Sequence, residues 1–451
     1  MRGRCFPRRV FACLMLAFLA AVLSVGVVGS RDAAARRLVN EPWRYQAHPP
    51  KRYAFAANAR AFPYTPSECV ARYGVACYSP QQIRRAYDIP SSLEGEGQSI
   101  VIFDAYGSPS VRRDLETFSE TFGLPKPDLH IYYPQGRPKF DPRNSNQQGW
   151  AQEIALDTQW AHAIAPKARI NLVIARDNSD LAFNYAQTWA LGRGLGHVWS
   201  QSYGTPEAAI KSVESNVQLR LSHNGYVNAR AQRISVFASA GDSGAGNGFR
   251  RPNALYPASD PLVTAVGGTN LFASDRGVYR RETVWNDSNP ALCPFGCTQG
   301  IFGATGGAPS RVFKKPAYQR GFQPTRHRTT SDVSYDASVY TSVLVYLSIP
   351  GIPEGFYFFG GTSSGAPQWA GIGALANQAA GRPLGFLNPR LYALAKNGAA
   401  YRASFHDVTR GGNVFYGGGY RAKKGYDLPT GLGTPKVSAL IRNLSHQGAR
   451  R

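Results

Sequence analysis

Apolar and polar positions change rhythm several times along this chain. Residues 10–28 are almost uninterruptedly apolar. From 36 to 79 no period is visible, and Pro, Arg and Tyr recur. After Ser79-Pro80, short apolar runs alternate with stretches of helical spacing. The runs 99–104, 129–133, 170–175, 197–203 and 234–240 predict strands, and 110–122, 150–164, 181–192 and 206–229 predict helices. Short apolar runs alternating with helices of about ten to fifteen residues predict βαβ units around a parallel sheet. Right-handed crossovers then place helices on both faces, and ligand chemistry belongs at the carboxyl ends of the strands. From 243 to 360 the pattern is looser and richer in loops. No repeat or linker interrupts it, so one large α/β domain is expected over 80–445.

The first apolar run follows Arg2, Arg4, Arg8 and Arg9 and precedes small residues at Gly29, Ser30 and 33–35. That order is the one of a secretory signal peptide. The run is long enough to span a bilayer as an uncleaved anchor, but Ala33 and Ala35 offer a cleavage site, so a cleaved leader over 1–35 is expected. The arm over 36–79 follows it. A secreted product, extracellular or periplasmic, with no membrane association after cleavage is the expectation. Of six cysteines, Cys5 and Cys13 lie in the leader. Cys69, Cys77, Cys293 and Cys297 form two close pairs, which suggests two short-loop disulfides in an oxidising compartment. Cys293 and Cys297 alternatively read as half a zinc site, but no second Cys or His pair at ligand spacing accompanies them.

Composition narrows the class. With 43% hydrophobic and 18% charged residues over 451 positions, the chain is not intrinsically disordered. There are 51 Lys and Arg against 28 Asp and Glu, a formal charge of +23. Loss of the leader removes five Arg and one Asp and leaves +19. The basic residues are scattered, as at Arg250-Arg251, Arg280-Arg281, Lys314-Lys315 and Lys423-Lys424, without a basic helix or an aromatic RNA-binding signature. No nucleic-acid partner is expected, only weak attraction to polyanions. The low carboxylate count also means that fewer paired carboxylates must be protonated as pH falls.

Three local patterns carry chemistry. In Gly360-Gly361-Thr362-Ser363-Ser364-Gly365-Ala366-Pro367 a serine stands where a glycine turn meets a helix start. Free N–H groups and the positive dipole end lie beside such a hydroxyl, which suits an activated nucleophile; an ordinary helix cap has the same look. Glu153 and Asp157 are four apart and so share one face of a helix. Exposed, they would be mildly repulsive decoration. Flanked by Ile154, Leu156, Trp160 and Ile164 they are packed, and a packed like-charge pair calls for a functional reason. Phe237-Ala238-Ser239-Ala240-Gly241-Asp242-Ser243-Gly244 puts Asp242 at the carboxyl end of a strand, although aspartates in glycine turns are common. Asp104, ending the first strand, has the look of a catalytic aspartate with a histidine partner. None of the eight histidines is followed by Gly-Thr, so that route fails.

Together these patterns resemble the sedolisin (serine-carboxyl peptidase) family. The resemblance runs from Tyr78-Ser79-Pro80 to the C-terminus and includes Asp104-Ala105-Tyr106, Ser202-Tyr203-Gly204, Ala265-Val266-Gly267-Gly268-Thr269 and Leu387-Asn388-Pro389-Arg390-Leu391-Tyr392. It implies a subtilisin-like parallel sheet with helices on both faces. It implies Ser363 as nucleophile, Glu153 as general base, Asp157 as the carboxylate hydrogen-bonded to Glu153, and Asp242 as the oxyanion-hole acid. It also implies a Ca²⁺ site with carboxylates from Asp407 and Asp427 and carbonyls from Val408, Lys423 and Gly425. Two Asp in a glycine-rich loop suit a hard cation, and they equally suit ordinary turns. Imidazole, with a pKa of about 6.5, fails as a base in acid, whereas a carboxylate near about 4.3 still works. The expectation is therefore a secreted, monomeric, acid-active endopeptidase acting on proteins or peptides. A tripeptidyl exopeptidase on the same fold and a non-catalytic surface binding protein are the alternatives. The family usually carries a large folded prodomain. Here only the short arm precedes the domain, and either the branch lacks an inhibitory prodomain or the arm does a reduced version of that job.

Overall fold

The computed structural model describes residues 46–47, 51–53, 64–210, 213–288 and 303–446. The expected leader and the Cys293 and Cys297 pair lie outside the described residues.

The centre is an eight-stranded sheet. Its strands Leu129–Tyr132, Arg169–Ala175, Ser99–Ala105, Val198–Gln201, Ser235–Ser239 and Thr264–Ala273 lie side by side in that order, all parallel. Thr264–Ala273 also pairs in parallel with Val333–Asp336 and antiparallel with Tyr279–Val284. Alternation along the strands sorts their side chains onto two faces. Ile100 and Ile102 enter one buried cluster, and Val101, Phe103 and Ala105 the other. The first cluster holds the helices Ser145–Ile164 and Thr362–Ala380, and the second holds Asp180–Arg193 and Val213–Ala231. The expected α/β architecture with both faces covered is the one observed.

Several elements differ from the sequence pattern. The helix expected over 150–164 begins at Ser145, because the Asn144 side chain accepts the N–H groups of Asn146 and Gln147 and caps a polar first turn. The run expected as one strand over 197–203 is two, Val198–Gln201 and Tyr203–Pro206, with Ser202 at the break. The helix expected from 206 starts at Val213, after a single 3₁₀ turn at Glu207–Ala209. The arm contains a helix, Pro66–Tyr73, held by a reciprocal cap between Thr65 and Glu68. The expected bond between Cys69 and Cys77 is present and ties this helix to the strand Ala76–Tyr78. The looser region after 243 contributes several strands, among them the hairpin of Thr341–Leu347 and Gly355–Gly360 that leads into Ser363.

The two helices that carry the expected chemistry cross closely. A Cβ on Gly371 would lie 2.6 Å from the Ile164 Cβ. Only glycine permits that approach, and it sets the Ser363 helix against the Glu153 helix.

Candidate active site

Ser363 is the second residue of the helix Thr362–Ala380 and is completely buried. Its Oγ lies 3.5 Å from the Ser202 carbonyl. Pro367 sits one turn on and has no N–H, so the Ser363 carbonyl lacks its ordinary helical donor. That carbonyl instead accepts the Ser202 hydroxyl, at 3.4 Å.

Glu153 and Asp157 are both fully buried on the crossing helix. Burial drives the pKa of each well above the carboxylate range. At Glu153 the negative charge of Asp157 adds to the effect of burial, the Ser363 hydroxyl works against it, and Asp104 and Asp242 add smaller pushes upward. At Asp157 the opposing group is Ser202, whose hydroxyl donates to Oδ1 at 2.8 Å. Asp157 stands close enough to Glu153 for its charge to raise the glutamate's pKa. Both Glu153 oxygens and Asp157 Oδ2 are buried without a hydrogen-bond partner. Such a set cannot be fully ionised, so the pair shares protons as a unit.

Asp242 follows the strand Ser235–Ser239, as its motif predicts. Its Oδ1 accepts the Thr362 N–H at 2.8 Å and the Thr362 hydroxyl at 2.7 Å. Thr362 Oγ1 in turn accepts the Gly241 N–H at 3.0 Å. This small network ties the aspartate loop to the start of the serine helix. Asp242 Oδ2 is left buried and without a partner. It faces Gly361, where a Cβ would come within 2.7 Å of it. Gly361 has φ +120°, a backbone that disfavours any other residue. The four expected residues are therefore brought to one place.

Sequence reasoning gave no role to two further neighbours. Ser202 touches both Ser363 and Asp157; its signal was the Ser202-Tyr203-Gly204 motif at a break in a strand-like run. Asp104 is fully buried with both oxygens unpartnered, and its pKa is driven well up by burial and then by Asp157. It lost a histidine partner on paper and stands beside a carboxylate instead. Among the described residues no histidine bonds Ser363. His162 bonds the Pro125 carbonyl, His197 the Gln232 carbonyl and His223 the Asp260 carboxylate, while His406 stacks on Tyr279.

Asp407 and Asp427 also come together. The Gly425 N–H donates to the Asp407 carboxylate at 3.0 Å, and the Lys423 N–H to Asp427 Oδ2 at 3.1 Å. Asp427 is buried, and burial followed by several hydrogen bonds and the charge of Asp407 leaves its pKa raised to about 7. Two close carboxyls that form no ion pair among the described residues fit a bound cation. Among the described residues no group of three or more His, Cys, Asp or Glu side chains is placed to hold a metal. Backbone carbonyls, such as those of Val408, Lys423 and Gly425, would have to complete the shell.

No family model matches the chain. It is 33% identical over 386 residues to kumamolisin of Bacillus sp. (strain MN-32), covering 81% of this chain and 63% of that protein. It is 29% identical over 384 residues to sedolisin of Pseudomonas sp. (strain 101), covering 81% and 61%. The fold matches the solved structure of Pseudomonas sedolisin, a serine-carboxyl proteinase complexed with two molecules of pseudo-iodotyrostatin, with TM-score 0.72 and 27% identity over 83% of this chain and 99% of that one. The chain belongs to the sedolisin family. Against the curated relatives it spans about three-fifths of their length. Human tripeptidyl-peptidase 1 is a more distant sedolisin relative, 30% identical over 275 residues, or 55% of this chain and 43% of that protein.

Proposed function

We propose that this protein is a serine-carboxyl endopeptidase that works in acid. The observation that carries the reading is a buried serine at a helix start, next to a buried glutamate whose own neighbours are carboxyls and hydroxyls. Ser363 Oγ attacks the scissile carbonyl while Glu153 takes its proton. Glu153 later returns that proton to the leaving amine, and water repeats the sequence on the acyl-enzyme. Asp157 holds the second charge of the pair, oriented by Ser202, and keeps Glu153 basic enough to accept a proton in acid. Asp242 is anchored through Oδ1 and offers Oδ2 toward the Ser363 turn. Protonated, that oxygen donates to the oxyanion. The scheme needs one carboxylate ionised and another protonated, which is a condition of acidic solution.

Endopeptidase action is favoured because Tyr203–Pro206 and Gly355–Gly360, which end on either side of Ser363, take extended chain as antiparallel partners, here Gln46–Ala47 and Lys51–Tyr53. An extended chain can pass through without a free terminus. A blocked and a free form of one peptide separate this from tripeptidyl release. Secretion is part of the proposal and rests on the leader and on the disulfide of Cys69 and Cys77. So is Ca²⁺ at Asp407 and Asp427, a group that would supply charge neutralisation and loop order and no part of the reaction.

The test compares wild type with Ser363→Ala and Glu153→Ala on a denatured protein substrate between about pH 3 and 7. Both variants should lose at least about 10³-fold in kcat/KM, with the wild-type maximum in acid. A wild-type maximum near pH 8, with activity lost at pH 4, would refute the carboxylate base.

A further inference from the structure

Asp242 is held from two sides. Thr362 fixes its side chain through Oδ1. Its main chain lies against the segment 303–308. The Ala304 N–H donates to the Asp242 carbonyl at 3.1 Å, the Gly244 N–H to the Ala304 carbonyl at 2.9 Å, and the Gly306 N–H to the Gly241 carbonyl at 2.6 Å. The two stretches meet backbone to backbone, and a Cβ on Gly306 would overlap the Ala240 carbonyl. The segment 303–308 therefore sets where the main chain of Asp242 stands.

That segment is itself held from behind by one side chain. Asn413 is completely buried and stands in the glycine-rich loop between Asp407 and Asp427. Its Nδ2 donates to the carbonyls of Gly306 at 2.7 Å and Gly307 at 3.0 Å, and its Oδ1 accepts the Tyr420 N–H at 2.9 Å. Its own carbonyl accepts the Ala245 N–H at 3.0 Å. One residue thus grips both the segment 303–308 and the turn that follows Asp242. Asn286 steadies it, because the Asn286 Nδ2 donates to the Gly412 carbonyl at 2.9 Å and the Val414 carbonyl at 2.8 Å, on either side of Asn413. A short side chain with two amide hydrogens and one carbonyl oxygen satisfies three backbone partners at once, and neither Asp nor Ser supplies two donors.

We propose that Asn413 is a positioning residue for the oxyanion hole: through the segment 303–308 it sets the place of Asp242 Oδ2 relative to Ser363. It touches no reacting atom. The proposal rests on the reading of Ser363 as nucleophile and of Asp242 as the acid that donates to the oxyanion. The bonds from Thr362 fix only Oδ1, so the direction of Oδ2 follows from where the main chain of Asp242 lies. A displacement of about 1 Å suffices to cost about 10² in rate. A strut needed only for folding has another signature. Its loss lowers Tm and leaves the chemistry of the folded molecules unchanged.

The experiment compares the full chain with its Asn413→Ala variant in acid. On a denatured protein kcat should fall by about 10², with KM within about twofold. A second measurement isolates the oxyanion. A peptide aldehyde and the matching peptide alcohol are built on a sequence that wild type cleaves. The aldehyde carbon bonds to Ser363 Oγ, the serine proton passes to Glu153, and the carbonyl oxygen becomes the oxyanion; the alcohol fills the same cleft without that bond. Asn413→Ala should bind the aldehyde at least about tenfold more weakly and the alcohol within about twofold of wild type. An unchanged kcat in the folded variant, or equal weakening of both ligands, overturns the proposal. Should Asn413→Ala not fold, Asn413→Asp replaces it. This variant is close in shape, still accepts the Tyr420 N–H and loses at least one of the two donors. It should weaken the aldehyde at least about threefold more than the alcohol, and no such contrast overturns the proposal. A wild type that binds the aldehyde no more tightly than the alcohol overturns the reading of Ser363 and Asp242, and the proposal with it. A wild type with that preference and a variant that keeps it in full overturn the proposal alone.

Discussion

Raising the pH from about 5 to about 8 should destabilise the folded chain, and the structure says by how much. Glu282 is buried, and burial lifts its pKa from 4.5 to about 7. A carboxyl whose folded pKa is raised binds its proton more tightly folded than unfolded. Its stabilisation is present in acid and is lost as pH rises through the folded value. Across this interval Glu282 and Asp180, which is also buried and lifted to about 7, each forfeit about 2.5 kcal/mol. Two histidines work the other way. His162 is lowered to about 4 and His406 to about 3, both by burial. Their neutral forms favour the fold above the unfolded value and are penalised as pH falls, so each returns about 2 kcal/mol between about pH 5 and 6.5. These contributions nearly cancel. The decision falls to Asp104, Glu153, Asp157 and Asp336, which burial drives well above the carboxylate range. Every proton that these four hold folded and release unfolded adds to the loss as pH rises. Glu68 and Asp128 are held low, first by Thr65 and by Arg169 respectively, but they are exposed and weigh little. The assay is thermal unfolding of Ser363→Ala, which cannot digest itself, at constant ionic strength and calcium. Tm should fall by about 5 °C or more from pH 5 to 8. Glu282→Gln should flatten part of that slope. A Tm that is level or rises with pH would refute the reasoning.

Three further outcomes follow from single contacts. Gly361→Ala places a methyl group 2.7 Å from Asp242 Oδ2 on a backbone with φ +120°; kcat should fall by about 10² or more with KM little changed. Asp104→Asn removes a titrating carboxyl that adds to the raising of Glu153, so the acid limb of the kcat/KM profile should move to lower pH while the variant stays folded; an unmoved limb would show that Asp104 does not act on the pair. Chelation should lower Tm, and Ca²⁺ should restore it where Mg²⁺ does not, because Asp407 and Asp427 offer few charges and a flexible shell; an unchanged Tm would count against the cation.

The alternation of strands and helices was legible because the inner strands of the parallel sheet are buried on both faces and each crossing helix is long. What escaped has specific causes. The arm helix Pro66–Tyr73 is too short for a period to show, although Thr65, Pro66 and Glu68 spell a helix start. Several strands after 243 pair outside the central sheet, as Pro309–Lys314 does with His327–Thr329, so their pattern reflects mixed neighbours. The helix over 150–164 was expected to pack through Ile154, Leu156, Trp160 and Ile164, yet every residue from Trp150 onward is buried, because helix Thr362–Ala380 and the strand Thr341–Leu347 cover it from different sides. Ser202 looked like part of a strand because a break of one residue leaves no trace in hydrophobicity.

The site itself divides along the same line. Residue types and local spacing identify a serine at a helix start, a packed carboxyl pair and an aspartate in a turn, each of which has an ordinary structural explanation. None of those patterns says that Glu153 and Ser363, far apart in the chain, touch. That contact depends on Gly371 letting two helices cross against Ile164, a residue that no catalytic motif contains. The same crossing removes water from Glu153, Asp157 and Asp104, and removal of water is the leading cause of their raised pKa values. The packing that assembles the proposed catalyst is thus also what makes its carboxyls hold protons in acid. Activity and acid stability should therefore change together under any substitution that opens this crossing. Gly371→Ala should loosen both, whereas a change confined to the Ser363 hydroxyl should abolish activity and leave the pH dependence of Tm in place.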